Sequence, residues 1–282
     1  MLRCVKRILS VILSELFLIS CLSGCSSYER LVTINENEGI HGVLNHVSSD
    51  TVVLMMGGSG PVDVNYTVDG IGLYDEMAEI LAQFNISTLR LEKRNTYKTI
   101  DEEYIEDGLL AINYLKERYD HVFVLGHSLG AHVAPVFSDL VDGLILMGGF
   151  VSEVEEVYAS QLKQNASGDQ IEVIDDELNI ILNLCEDTGF SWFGIRESWW
   201  LSLDELDLKS RLKSLDCPVL VVFSRDDERV ELSEFELYQS YLALHEETEF
   251  VLVEGVNHFF VEKSSGQFKE SVVHKIAAWI LK

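Results

Sequence analysis

Short apolar runs recur along the chain at residues 52–56, 122–125, 144–147, 219–223 and 250–253, with a more mixed strand candidate at 86–91. Between them, apolar residues space out to every third or fourth position. Met77, Ile80, Leu81 and Phe84 share one face of a helix predicted over 73–84, and Ile105, Leu109, Ile112 and Leu115 do so over 104–115. A last stripe, Val273, Ile276, Ala277, Trp279 and Ile280, predicts a closing helix. Strands that are apolar on both faces need cover on both, and strands separated by helices pair in parallel. The pattern therefore predicts an α/β architecture, a mostly parallel sheet with helices on both faces. Ahead of it, residues 31–47 alternate around Gly39-Ile40-His41-Gly42-Val43-Leu44, which predicts an antiparallel hairpin with His41 on its surface.

The alternation lapses between residues 150 and 216, a stretch that is acidic and holds Trp192, Phe193, Trp199 and Trp200. An insertion after a central strand is expected to form a helical cap. Its aromatics, Trp199 and Trp200 foremost, either line a substrate pocket or join cap to core.

Composition changes the picture in two respects. The 282 residues carry 47 Asp and Glu against 21 Lys and Arg, a formal charge of −26. Such a chain repels phosphate backbones, which excludes nucleic acid as a partner. The basic residues Arg3, Lys6 and Arg7 also stand ahead of an apolar stretch over 8–22 that ends at Leu22-Ser23-Gly24-Cys25. This reads as an export signal, too short and too abruptly ended for a membrane span. Its last four residues resemble the bacterial lipobox, in which the cysteine becomes the lipidated first residue. The expected organisation is a signal over 1–24, a membrane-anchoring lipid on Cys25, a tether over 25–30 and one folded domain over 31–282. The expected location is outside the cytoplasm, at the cell membrane or surface. Cys185 and Cys217 would then pair or remain buried thiols. No Cys/His spacing suggests a metal site.

Candidate chemistry begins at Gly126-His127-Ser128-Leu129-Gly130, a G-x-S-x-G pattern between an apolar run and a helix-like segment. A serine in a sharp strand-to-helix turn needs neighbours without bulk, and Gly126 and Gly130 meet that need. Such a turn lifts the Ser128 hydroxyl clear of the sheet and aims a helix N-terminus at a developing oxyanion. Met56-Gly57-Gly58-Ser59-Gly60-Pro61 follows another apolar run. The N–H groups of Ser59 and Leu129 are the expected oxyanion donors. The loop lacks the G-K-[ST] or G-x-G-x-x-G continuation of a phosphate cradle. A carboxylate at the end of the 219–223 run, Asp227 with Asp226 as the alternative, is placed to hold an imidazole. His258 follows the last apolar run; His127, His132 and His245 read as bystanders. Nucleophile, acid and base then come in the chain order Ser, Asp, His.

With these residues in place the chain resembles the α/β-hydrolase superfamily over nearly all of residues 31–282. More narrowly it is similar to bacterial serine esterases and acyl hydrolases with a G-S-G-P-x-D-x-N loop, here Gly58-Ser59-Gly60-Pro61-Val62-Asp63-Val64-Asn65. Glu92-Lys93-Arg94 resembles their D-K-R turn, Asn257-His258-Phe259-Phe260 their N-H-L-F, and Ser198-Trp199-Trp200-Leu201 a cap motif. Glu92, Asn95 and Ser224 depart from the usual residues. The resemblance implies hydrolysis of a small-molecule carboxylic ester through an acyl-enzyme on Ser128, with no metal or organic cofactor. Two alternatives stand beside it. One is an aminopeptidase or amidase whose cap acids, Glu153, Glu155 and Glu156, receive an α-amino group. The other is a surface binding protein on an inactive hydrolase fold.

Overall fold

The computed structural model describes residues 28–282 apart from 38, 48, 95, 185–188, 190 and 193. The signal over 1–24, Cys25 and Cys185 lie outside the described residues. The described residues begin with the expected hairpin, β1 (Tyr28–Asn35) and β2 (Ile40–His46), followed by β3 (Thr51–Met56). A small ribbon, β4 (Thr67–Val68) and β5 (Ile71–Gly72), leads into α1 (Leu73–Gln83) and β6 (Ser87–Leu91). A π-helical turn (Asp101–Ile105) runs into α2 (Glu106–Lys116), and then come β7 (His121–His127), α3 (Leu129–Val133) and β8 (Gly143–Met147). The insertion carries α4 (Val154–Lys163), α5 (Gly168–Leu182), the ribbon β9 (Ser191–Trp192) with β10 (Ile195–Arg196), α6 (Glu197–Ser202) and α7 (Leu208–Arg211). The chain returns to the sheet through β11 (Val219–Ser224), α8 (Leu232–Tyr241), β12 (Thr248–Val253) and α9 (Glu270–Ile280).

One sheet has the strand order β1-β2-β6-β3-β7-β8-β11-β12. The first two strands pair antiparallel, as does β2 with β6; from β6 to β12 every pairing is parallel. Alternate strand residues face opposite layers. Val52, Leu54, Met56, Val122 and Val124 pack toward Ile112 and Leu115 of α2, whereas Val53, Met55 and Leu125 pack toward Met77 and Leu81 of α1 and Ile276 of α9. Each such side chain contributes roughly 1.5–3 kcal/mol by leaving water. Both faces being apolar is what made these strands visible in the sequence.

Two features of this frame position the site. Chain direction through the sheet switches at β3, with β6 on one side of it and β7 on the other. Open α/β sheets form their crevices at such switch points, beyond the carboxyl ends of the strands. Met56 is opposite Gly126 in the β3–β7 pairing, so the loops leaving these two strands emerge side by side. Arg90 of β6, 1% exposed, then ties the first of those loops down. Its guanidinium donates to Asn65 Oδ1 at 2.9 Å and Asp75 Oδ1 at 2.6 Å, and pairs with Glu29 as well.

The expected 25–30 tether needs correction. Tyr28, Glu29 and Arg30 pair with His46, Asn45 and Leu44, so the sheet begins inside that stretch. The backbone hydrogen bonds of an edge strand hold residues whose side chains, mostly exposed, gave no apolar signal. Helix α8 was also absent from the predicted elements; within it only Glu234, Phe235 and Tyr238 are buried, too few for a recognisable stripe.

Candidate active site

At the end of β7 the backbone turns abruptly. Ser128 has φ 55° and ψ −121°, a left-handed conformation that strains any residue with a side chain. Its N–H bonds Met147 O at 3.0 Å, which fixes the turn against β8. The flanking glycines are required by close approach. A Cβ on Gly126 would fall 2.2 Å from Gly130 O, and one on Gly130 would fall 2.5 Å from Met56 O and 2.6 Å from Gly57 O. Leu129, the first residue of α3, has an N–H that the helix itself leaves unused. Gly58 lies directly against the serine, since a Cβ there would stand 3.0 Å from Ser128 Cβ.

Strands β11 and β12 deliver the acid and the imidazole. His258 Nδ1 meets Asp227 Oδ2 at 2.7 Å, with the two side chains only 2% and 1% exposed. The other oxygen, Asp227 Oδ1, accepts the N–H groups of Arg229 at 2.8 Å and Val230 at 2.9 Å. Burial on its own would raise the Asp227 pKa. The His258 bond and these two backbone donors outweigh it and hold the carboxyl below its ordinary value. With Asp227 ionised, His258 Nδ1 is the donor and Nε2 is left as an acceptor. The alternative acid, Asp226, turns away from the imidazole and accepts from Gly255 N at 2.7 Å.

His127, expected as a bystander, joins the two halves of the site. Its ring centroid is 4.7 Å from that of His258, and its Nε2 bonds His258 O at 3.0 Å. A carbonyl only accepts, so Nε2 carries the proton and Nδ1 accepts from the Tyr66 hydroxyl at 3.0 Å. Burial, reinforced by the neighbouring His258, lowers the His127 pKa to about 3, so the ring is neutral. Tyr66 is buried too, its hydroxyl pushed up to about 12 by burial against an opposing contact from the Gly58 amide. Gly58, Tyr66, His127 and the His258 backbone therefore form one connected chain. Tyr66 has φ 52° and follows Asp63, whose Oδ1 accepts from Asn65 N and Thr67 N at 3.0 Å each. Only the Asp-x-Asn turn hinted at this in the sequence.

The insertion leans on the same loop. Tyr158 of α4, partly buried, brings its hydroxyl to the Ser59 side chain. Trp199 and Trp200, expected as pocket walls or as a joint, are each 2% exposed. Trp200 packs against Trp192, Trp199 and Tyr158 at centroid separations of 5.0, 4.9 and 5.4 Å, which makes it part of the joint. Trp199 donates Nε1–H to Glu103 Oε2 at 2.6 Å, and it also borders an open cleft with Arg94, Tyr97, Lys98 and Arg196. Among the described residues no cluster of His, Cys, Asp and Glu could hold a metal ion. Cys217 is a buried free thiol.

Comparison with solved structures identifies the architecture. Est1E from Butyrivibrio proteoclasticus superposes with a TM-score of 0.64 over 91% of this chain and 98% of that one, at 14% identity. The fold is that of the α/β-hydrolases. The esterase domain of a Rhodothermus marinus protein gives 0.63 over 89% and 97% of the two chains at 15% identity. A structure of Est1E with ferulic acid bound gives 0.59 over 92% and 96% at 14% identity. In sequence, esterase EstD of Thermotoga maritima is 28% identical over 278 residues, spanning 90% of this chain and 68% of that protein. No protein-family model matches the chain.

Proposed function

We propose that the protein is a serine hydrolase that cleaves carboxylic esters. The observation that carries this reading is the buried 2.7 Å pairing of His258 Nδ1 with Asp227, taken together with a serine held at φ 55° on the turn after β7. The similarity to esterase EstD supports it independently. Ser128 Oγ attacks the ester carbonyl while His258 Nε2 takes its proton, and Asp227 balances the imidazolium. The N–H groups of Ser59 and Leu129 receive the oxyanion. As the tetrahedral intermediate collapses, His258 returns the proton to the leaving alcohol. Water then repeats the sequence on the acyl-enzyme and frees Ser128. Each oxyanion donor supplies about 3 kcal/mol of transition-state stabilisation.

The bound ferulic acid in Est1E makes aromatic acyl esters a natural part of the first panel, beside short p-nitrophenyl esters and aminoacyl anilides. The expected result is ester turnover well above anilide turnover, abolished in Ser128→Ala with the fold intact. Undiminished turnover in that variant overturns the reading; anilides preferred over esters would favour an amidase. Export with a lipid on Cys25 is the companion proposal for location. Expression in a bacterial host with radiolabelled palmitate should label the wild type and not Cys25→Ser; label retained by the variant refutes it.

A further inference from the structure

Lys93 is a buried ammonium that the reaction scheme does not use. Its side chain is 8% exposed, and its partner Glu103, 2.6 Å away, is 1% exposed. Nζ donates to the carbonyls of Gly58 at 2.9 Å and Gly60 at 3.1 Å, and also to Tyr104 Oη at 2.9 Å. Tyr104 in turn donates to Gly58 O at 2.7 Å. Two donors thus converge on one carbonyl of the loop that lies against Ser128.

The consequence follows from the peptide unit. In a trans peptide the C=O of one residue and the N–H of the next are coplanar and point in opposite directions. The peptide that carries Gly58 O also carries Ser59 N–H, the proposed oxyanion donor. Fastening Gly58 O to Lys93 and Tyr104 therefore sets the direction of that N–H. Donors on the oxygen also polarise the peptide and strengthen its N–H as a donor. At a position flanked by Gly57, Gly58 and Gly60 the backbone has little stiffness of its own, so an external anchor is needed. Burial pulls the Lys93 pKa below its ordinary value, and the Glu103 carboxylate opposes that shift.

We infer that Lys93 is a positioning residue for the oxyanion hole, orienting Ser59 N–H through Gly58 O, and that Glu103 and Trp199 couple this anchor to the insertion. Glu103 accepts Trp199 Nε1–H with the oxygen that Lys93 leaves free, so one carboxylate serves both the loop and the cap. The inference rests on the esterase reading of Ser128.

The test separates anchoring from stability. Lys93→Met strands Glu103 as a buried unpaired charge and is expected to lower Tm strongly. The double variant Lys93→Met/Glu103→Gln removes both charges and keeps an acceptor for Trp199, so Tm should recover. Its kcat on a p-nitrophenyl ester should nevertheless remain down by about ten- to a hundredfold, with KM within about threefold, because the lost interaction acts on the oxyanion. Tyr104→Phe, which introduces no charge imbalance, should lower kcat by about three- to tenfold, again at constant KM. Recovery of wild-type kcat together with Tm in the double variant, or unaltered kcat in Tyr104→Phe, overturns the inference and leaves the esterase reading standing. Turnover in wild-type protein that does not depend on Ser128 removes both.

Discussion

Asp227→Asn is the perturbation whose outcome the geometry constrains most tightly. Asparagine has the shape of aspartate but offers one acceptor and one donor in place of two acceptors. Asp227 Oδ1 receives two backbone N–H groups, from Arg229 at 2.8 Å and Val230 at 2.9 Å. Those donors hold the amide oxygen in place and turn the NH2 group toward His258 Nδ1. The imidazole must then present an unprotonated Nδ1, which moves its proton to Nε2. Protonated there, it cannot accept from Ser128. The imidazolium formed at the transition state also loses its counter-charge. At a charge separation of roughly 4 Å and an effective dielectric of about 20, that loss alone is about 4 kcal/mol, or about a thousandfold in rate. With the wrong tautomer added, kcat should fall by about 10⁴-fold, the loss seen for the same substitution in serine proteases. Steady-state kinetics on a p-nitrophenyl ester would measure this, with Tm to confirm folding. Asp226→Asn, whose carboxylate bonds Gly255 N and not the imidazole, serves as the control and should change kcat by less than about threefold. A folded Asp227→Asn protein within tenfold of wild type, or an equal loss in Asp226→Asn, would show that Asp227 does not set the His258 tautomer.

Two further outcomes follow from the packing around the elbow. Gly130→Ala places a methyl 2.5 Å from Met56 O and 2.6 Å from Gly57 O; the displaced loop should lower kcat by about a hundredfold, and a variant with unaltered kcat would contradict the close approach. His132, whose Nδ1 bonds Phe150 O at 3.1 Å, is held neutral by burial with a pKa lowered to about 4, as His127 is at about 3. The unfolded chain titrates these rings near 6.5, so below that pH it binds protons that the folded protein refuses. Stability should accordingly fall from about pH 6.5 to pH 4, each ring contributing up to about 1.4 kcal/mol per pH unit. Urea unfolding of His132→Asn between pH 6 and 5 should show a slope smaller by about one proton; parallel slopes would count against it.

The sheet was legible because burial on both faces wrote its strands as apolar runs, and because the helices between them kept a clear stripe. The positions of Ser128, Asp227 and His258 beyond strand ends were legible because each follows such a run, and position at a strand end is a local property. Tyr66 and Lys93 were not. Tyr66 reaches His127 across 61 residues from a left-handed turn, and nothing near it in the chain marks that contact. Lys93 stood out only as part of the Glu92-Lys93-Arg94 motif, and nothing there told of its contacts with carbonyls 33 and 35 residues earlier. The contact of His127 with the His258 backbone was hidden for the same reason, since it spans 131 residues of chain. The tryptophans marked the insertion, but composition alone had no means of dividing them between joint and pocket.

The most direct test of the central claim is covalent. Incubating the intact protein with a fluorophosphonate and mapping the adduct by peptide mass spectrometry reports on nucleophile, base and oxyanion site together. Stoichiometric modification of Ser128 is expected, slowed in Asp227→Asn and absent in Ser128→Ala. An unmodified Ser128 in protein that hydrolyses esters, or an adduct on any other residue, would contradict it.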